Sequence, residues 1–180
     1  MNIEECGNLY LGVDIGRKID STFIVGVEEI EHVFYVRVIK EFKLTPFEMQ
    51  RNFISSLLKK SNVLSCFIDE TGMGMQITEQ LRGDFGIKVR GITFTAEVKE
   101  RMMQNLRILF EKKQIRIPNH QQLIVHLHAI KRKVTDARHV KYEADSSEPH
   151  HSDAAWALAL ACYDKGRKIS WHVAGGWGPR

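Results

Sequence analysis

The sequence predicts an α/β fold: a mixed five-stranded sheet with helices on both faces, strands one to three antiparallel and strands four and five parallel to the first. Two patterns in the chain and one rule of topology point to it. Three apolar runs stand close together between residues 9 and 42, joined too tightly to pair except as an antiparallel meander. Two more apolar runs, 63–69 and 87–92, alternate with amphipathic helical patterns. Strand–helix–strand crossovers of that kind return the chain in the same direction.

Taken in order, residues 9–15 (LYLGVDI) are apolar almost throughout, as a central strand buried on both faces requires. Residues 21–28 and 32–42 complete the meander; in the last, Phe34, Val36 and Val38 are expected on one face and Tyr35, Arg37 and Ile39 on the other. Thr45 and Pro46 read as the N-cap and first position of a helix whose apolar stripe is Phe47, Phe53, Ile54, Leu57 and Leu58. After the fourth strand, 63–69, come a helix over about 75–85, the fifth strand and a longer helix over 96–112. Residues 115–118 form a short extended piece and 121–130 a helix. A basic hairpin is expected over about 131–144, turning at 136–138. A last helix runs from near Pro149 to Lys165, where Gly166 can end it. The expected organisation is one domain, 1–165, with a flexible tail, 166–180, containing Gly175, Gly176, Gly178 and Pro179.

At 180 residues, 43% apolar and 27% charged, the chain suits one globular domain and not a disordered one. No apolar stretch is long enough to span a bilayer, and the N-terminus lacks the regions of a signal peptide. Cys6, Cys66 and Cys162 are odd in number and show no metal-binding spacing, which points to a reduced, cytoplasmic protein with no membrane partner. Cys66 and Cys162 sit in apolar runs and read as core residues.

The net charge of +4 hides an uneven distribution. Residues 99–116 and 131–141 each carry +4, so the rest of the chain carries −4. Lys99, Arg101, Arg107, Lys131, Arg132, Lys133, Arg138 and Lys141 are the candidate contacts to a polyanion, nucleic acid being the commonest. The plainer reading is two solvated surfaces.

Three aspartates stand where apolar residues are expected. Asp14 interrupts the most hydrophobic strand, Asp69 ends the fourth, and Asp153 lies near the start of the last helix on a stripe with Trp156, Ala157 and Leu160. Each has a local explanation as a turn or cap residue. Together they have a better one. If the fourth strand lies beside the first, Asp14 and Asp69 reach one edge, and the last helix can add Asp153. Three clustered carboxylates stay ionised only with cations between them, and all-oxygen ligands select hard ions such as Mg²⁺ or Mn²⁺. Two such ions roughly 4 Å apart can stabilise the attacking and leaving oxygens of a phosphodiester.

The segments GVDIGRKID, FIDETGMG and HHSDAAWALALA resemble the three acidic motifs of the nuclease domain of phage large terminase subunits, within the ribonuclease H-like superfamily. The resemblance runs from residue 9 to about 165, and residues 93–118 resemble the stretch between the second and third motifs. It implies an endonuclease that cuts concatemeric double-stranded viral DNA in the bacterial host cytoplasm during packaging. Its metal-binding catalytic acids would be Asp14, Asp69 and Asp153, with two Mg²⁺ or Mn²⁺ ions. Asp20 is either an accessory carboxylate or a turn residue; His150 either orients water or phosphate, or caps the surface. The implied partners are a terminase ATPase domain, the portal and the small terminase subunit. The chain carries no G-x-x-x-x-G-K-[ST] loop, so the expectation is the nuclease domain without its motor.

Three rivals remain. Holliday-junction resolvases share the superfamily and a G-x-D-x-G opening, but usually carry Glu where this chain has Asp69. Actin-like and sugar-kinase ATPases also open with D-x-G, but need about twice this length. A non-catalytic DNA-binding module would have no reason to keep three carboxylates on buried faces.

Overall fold

The computed structural model describes residues 6–16, 21–134, 140–144 and 152–164. Its main sheet contains β1 (Leu9–Asp14), β2 (Thr22–Ile30), β3 (Val33–Phe42), β4 (Val63–Asp69), β5 (Val89–Ile92) and β6 (Ile115–Arg116). Five helices accompany it: α1 (Phe47–Leu58), α2 (Gly74–Phe85), α3 (Ala96–Glu111), α4 (Gln121–Ala129) and α5 (Asp153–Ala161). β7 (Ile130–Val134) and β8 (Val140–Ala144) form a separate antiparallel ribbon.

The sheet order is β5-β4-β1-β2-β3-β6, with β2 antiparallel to its neighbours and every other adjacent pair parallel. The mixed α/β fold is the expected one, but the sheet has six strands, not five. The short extended piece at 115–118 supplies the sixth: Ile115 and Arg116 pair with Phe34 and Tyr35, and the Phe34 N–H donates to the Gln114 carbonyl at 2.8 Å. Two residues carry no detectable period, so only the open edge of β3 reveals them as a strand.

Each sheet face has its own core. Leu9, Leu11, Val13 and Ile15 point toward α1 and α2 and meet Ile54, Leu58, Ile77 and Leu81. Phe23, Val25 and Val27 point the other way, toward α3, α4 and α5. This alternation across the central strands is what makes them apolar on both faces.

Local departures from the expected elements have local causes. Opposite Gly26 and Val27 the register on β3 jumps from Val38 to Val36, an extra residue at Arg37. Side chains beyond it change face. Phe34 and Val36 pack toward α5, whereas Val38 stands beside Gly26 and Leu11 on the α1 side, and Ile39 takes the α5 side. Thr45 does not cap α1: its hydroxyl donates back to the Lys43 carbonyl, and Pro46 occupies the cap position with no side-chain bond. Residues 86–88 form a 3-10 turn that shortens the fifth strand to four residues. The last helix begins at Asp153 and ends at Ala161, shorter than expected; the expected start near Pro149 and end at Lys165 lie outside the described residues. So do the hairpin turn 136–138 and the tail 166–180. No helix among the described residues is long and apolar enough to cross a membrane.

Candidate active site

Asp14 is the last residue of β1 and Asp69 the last of β4, and these strands are parallel neighbours with Val13 beside Ile68. The two aspartates therefore end side by side at one sheet edge. They also share a face. Leu11, Val13, Cys66 and Ile68 belong to the α1–α2 core, which leaves Gly12, Asp14, Phe67 and Asp69 facing α5. Each aspartate is only 8% exposed, a position at which a carboxylate needs hydrogen-bond or charge partners.

Helix α5 lies directly on this face because Gly12 lets it. A Cβ there would stand 2.0 Å from the Ala157 carbonyl oxygen and 2.2 Å from the Ala161 nitrogen. Side-chain contacts give the helix its direction. Trp156, near its start, packs on Phe94 just beyond the end of β5, with centroids 5.6 Å apart. Past its end, Tyr163 packs on Phe67, and Asp164 accepts from Arg90 at 3.2 Å. The helix thus runs antiparallel to β1, β4 and β5. Its N-terminus, with Asp153, lies at the edge where those strands end.

Asp14, Asp69 and Asp153 are in this way brought to one edge and one face by three different elements. Among the described residues, no three His, Cys, Asp or Glu side chains are grouped closely enough to hold one ion. Carboxylates brought that close either share a proton or need a cation between them. All-oxygen donors of this kind fit a hard divalent cation. Asp20 and His150 lie outside the described residues.

The Asp69 turn is tied down on several sides. The Thr71 N–H donates to Asp69 Oδ1 at 2.9 Å, and the Thr71 hydroxyl accepts from the Phe94 N–H at 3.0 Å. Asp69 therefore caps its own turn and not α2. Gly74 opens that helix so close that a Cβ would stand 1.8 Å from the Asp69 carbonyl oxygen. Glu70 turns away from the site, accepting from Thr93 at 3.1 Å and Arg82 at 3.4 Å.

Among the basic candidates in the described residues, Lys99 lies at this edge, its ammonium 5.0 Å from the Trp156 ring centre and 5.3 Å from that of Phe94. Arg101 donates to the Tyr163 hydroxyl at the other end of α5, and Arg107 to Glu111 at 2.7 Å on α3. Lys131, Arg132, Lys133 and Lys141 project into solvent from the ribbon, whose Ile130 and Tyr142 pack on the core around α3. Lys133 pairs with Glu143 at 2.7 Å and holds that carboxyl below the usual carboxylate range. Arg138 lies outside the described residues.

Thr71 and His126 are the neighbours of the acids that the sequence pattern did not single out. Thr71 carries a weak signal, a hydroxyl two residues after a strand-ending Asp. His126, between Val125 and Leu127 in an apolar helix, carries none.

A six-stranded mixed sheet with β2 alone reversed, helices on both faces and acids at one edge defines an RNase H-like domain. The chain belongs to the terminase RNase H-like domain family, whose model matches residues 11–164. It is similar in structure to the large terminase nuclease of thermophilic phage G20c solved with bound magnesium (TM-score 0.73, 22% identity, 86% of this chain and 79% of that one). It also resembles the g2p large terminase nuclease domain of bacteriophage SPP1 solved with bound Mn (TM-score 0.61, 15% identity, 89% and 88%). Against the bacteriophage HK97 large terminase the TM-score is 0.69 at 13% identity, covering 89% of this chain but 40% of that one. At these identities the likeness establishes the fold. No curated protein matches the sequence.

Proposed function

We propose that this chain is a metal-dependent endonuclease that cuts double-stranded viral DNA concatemers into genome lengths, with residues 1–165 as the nuclease unit. The observation that carries the reading is the arrival of Asp14, Asp69 and Asp153 at one edge and face of the sheet. Two of them are nearly buried there, where an ionised carboxylate needs partners close by. These three would hold two divalent ions, which supply positive charge to the attacking and leaving oxygens of the phosphodiester. The bound Mg and Mn in the G20c and SPP1 relatives support Mg²⁺ or Mn²⁺ as the ion.

The chain's own residues do the positioning. Thr71 fixes one oxygen of Asp69, Gly12 lets α5 carry Asp153 onto the sheet, and the N-terminal end of α5 adds a favourable partial charge for anions. Lys99 at the edge and the basic ribbon, with Arg101, Arg107 and Arg138 as further contacts, would hold the phosphate backbone without reading sequence. Asp20 and His150 remain accessory candidates in the segments beside Asp14 and Asp153. Within a packaging complex in the bacterial cytoplasm, the domain would work with a terminase ATPase domain, a portal and a small terminase subunit.

The test is cleavage of linear duplex DNA by the purified protein across a Mg²⁺ and Mn²⁺ titration, beside Asp69→Asn and a four-way junction substrate. The expected result is metal-dependent duplex cutting that the variant loses. Cleavage by Asp69→Asn at the wild-type rate refutes the site. Strong preference for the junction moves the protein to the resolvase reading.

A further inference from the structure

We infer that His126 is a positioning residue for the proposed site, clamping the helix that carries Asp153 against the strand pair that carries Asp14; the inference rests on the metal-holding role proposed for those acids. His126 lies on α4 and is 5% exposed. Its Nδ1 accepts the Ala154 N–H at 3.1 Å, immediately after Asp153. Its ring stands edge-on to Phe23, centroids 5.1 Å apart at 68°. Phe23 is the residue directly across from Asp14 in the β1–β2 register. One imidazole thus touches the immediate neighbours of two of the three acids.

The bond to Ala154 fills a specific gap. The first-turn N–H groups of a helix have no partner within it and need an outside acceptor. The usual source is the N-cap side chain, yet Ser152 makes no such bond here. The Ala155 and Trp156 N–H groups both reach the Ser152 carbonyl, and the Ala154 N–H goes to His126. The cap of α5 is therefore supplied by another helix. A neighbouring element thus helps to set where the first turn sits, and Asp153 is in that turn. To accept, Nδ1 must be unprotonated, so the ring's proton belongs on Nε2.

The test compares His126→Asn, which keeps an acceptor near the Nδ1 position, with His126→Phe, which keeps the ring and removes the acceptor. In the metal-free protein, Ala154 amide exchange should be about tenfold faster in the Phe variant, the equilibrium equivalent of one hydrogen bond, and near wild type in the Asn variant. The metal concentration for half-maximal cleavage should rise by about the same factor in the Phe variant, with KM for DNA unchanged. Wild-type exchange and wild-type metal requirement in His126→Phe overturn the inference. Should that variant fail to fold, nitrogen NMR of the wild-type imidazole decides: an accepting Nδ1 with the proton on Nε2 supports the clamp, and a protonated Nδ1 overturns it. Asp153→Asn separates the two layers. If it cleaves at the wild-type rate the site reading fails, while Ala154 exchange still decides whether His126 holds the helix.

Discussion

Gly12 and Ala157 meet backbone to backbone: a Cβ on Gly12 would stand 2.0 Å from the Ala157 carbonyl oxygen, so strand and helix pack with no side chain between them. This contact seats α5 on the face of the sheet that carries Asp14 and Asp69. The obstructing atoms are main chain and cannot rotate aside. Gly12→Ala is expected to destabilise the protein by about 1–3 kcal/mol through overpacking. Urea unfolding should show a lower midpoint, and cleavage should fall with the displacement of Asp153.

Two other glycines make a matched pair on α2. A Cβ on Gly74 would stand 1.8 Å from the Asp69 carbonyl oxygen, whereas one on Gly83 would meet nothing within 4 Å. Gly74→Ala should weaken metal-dependent cleavage by pushing on the Asp69 turn. Gly83→Ala should raise stability by about 0.5–1 kcal/mol, from helix propensity alone, with cleavage unchanged. Thermal melts and a cleavage time course on both variants check the contrast.

The proposed acids should trade stability for function. Asp69→Asn removes a charge from a nearly buried position and keeps an oxygen acceptor for the Thr71 N–H. In metal-free buffer the variant should be more stable than wild type by roughly 0.5–2 kcal/mol. It should also lose the rise in Tm that Mg²⁺ or Mn²⁺ gives the wild type, since only binding to the folded state produces that rise. Calorimetry with and without chelator measures both.

On the basic ribbon, Lys131 and Arg132 should matter more to DNA than Lys133, which spends its charge on Glu143. Neutralising Lys131 and Arg132 should weaken duplex binding and reduce the slope of log K against log salt by about one for each phosphate no longer neutralised. Lys133→Ala should change the slope less. Fluorescence anisotropy at several salt concentrations reads the difference.

Burial pushes the Cys66 thiol well above its ordinary range, so it stays protonated and unreactive in the folded protein. Iodoacetamide at pH 8 should leave Cys66 unmodified until denaturant is added, as mass spectrometry of the digest would show. The linkage has a definite sign. The unfolded thiol ionises near pH 8.5 and the folded one does not, so above about pH 8.5 the unfolded state binds fewer protons and stability falls as pH rises.

Much of this arrangement is legible in the sequence because strand and helix periods are local properties. The apolar run around Asp14 and the strand ending at Asp69 stand where the pattern puts them, and Asp153 lies at the start of the last helix. The failures occur where a distant contact overrides a local preference. Arg37 sits in an alternating pattern that gives no sign of an extra residue, yet the register with β2 inserts one and moves Val38 to the other face. Thr45 has the chemistry of a cap, but its hydroxyl finds the Lys43 carbonyl first.

Residue order alone shows which charges enter apolar elements, and so which three acids to follow. The directions of the first five strands are local too, since short connectors leave a meander no choice and a strand–helix–strand crossover returns the chain the same way. Long-range packing, by contrast, lays α5 antiparallel across β1, β4 and β5, with its N-terminus at the edge where Asp14 and Asp69 end. That direction comes from Gly12 under Ala157, Phe94 against Trp156, Phe67 against Tyr163, and His126 on the Ala154 N–H. Each joins residues 28 or more positions apart, a separation at which no periodicity in the chain carries information.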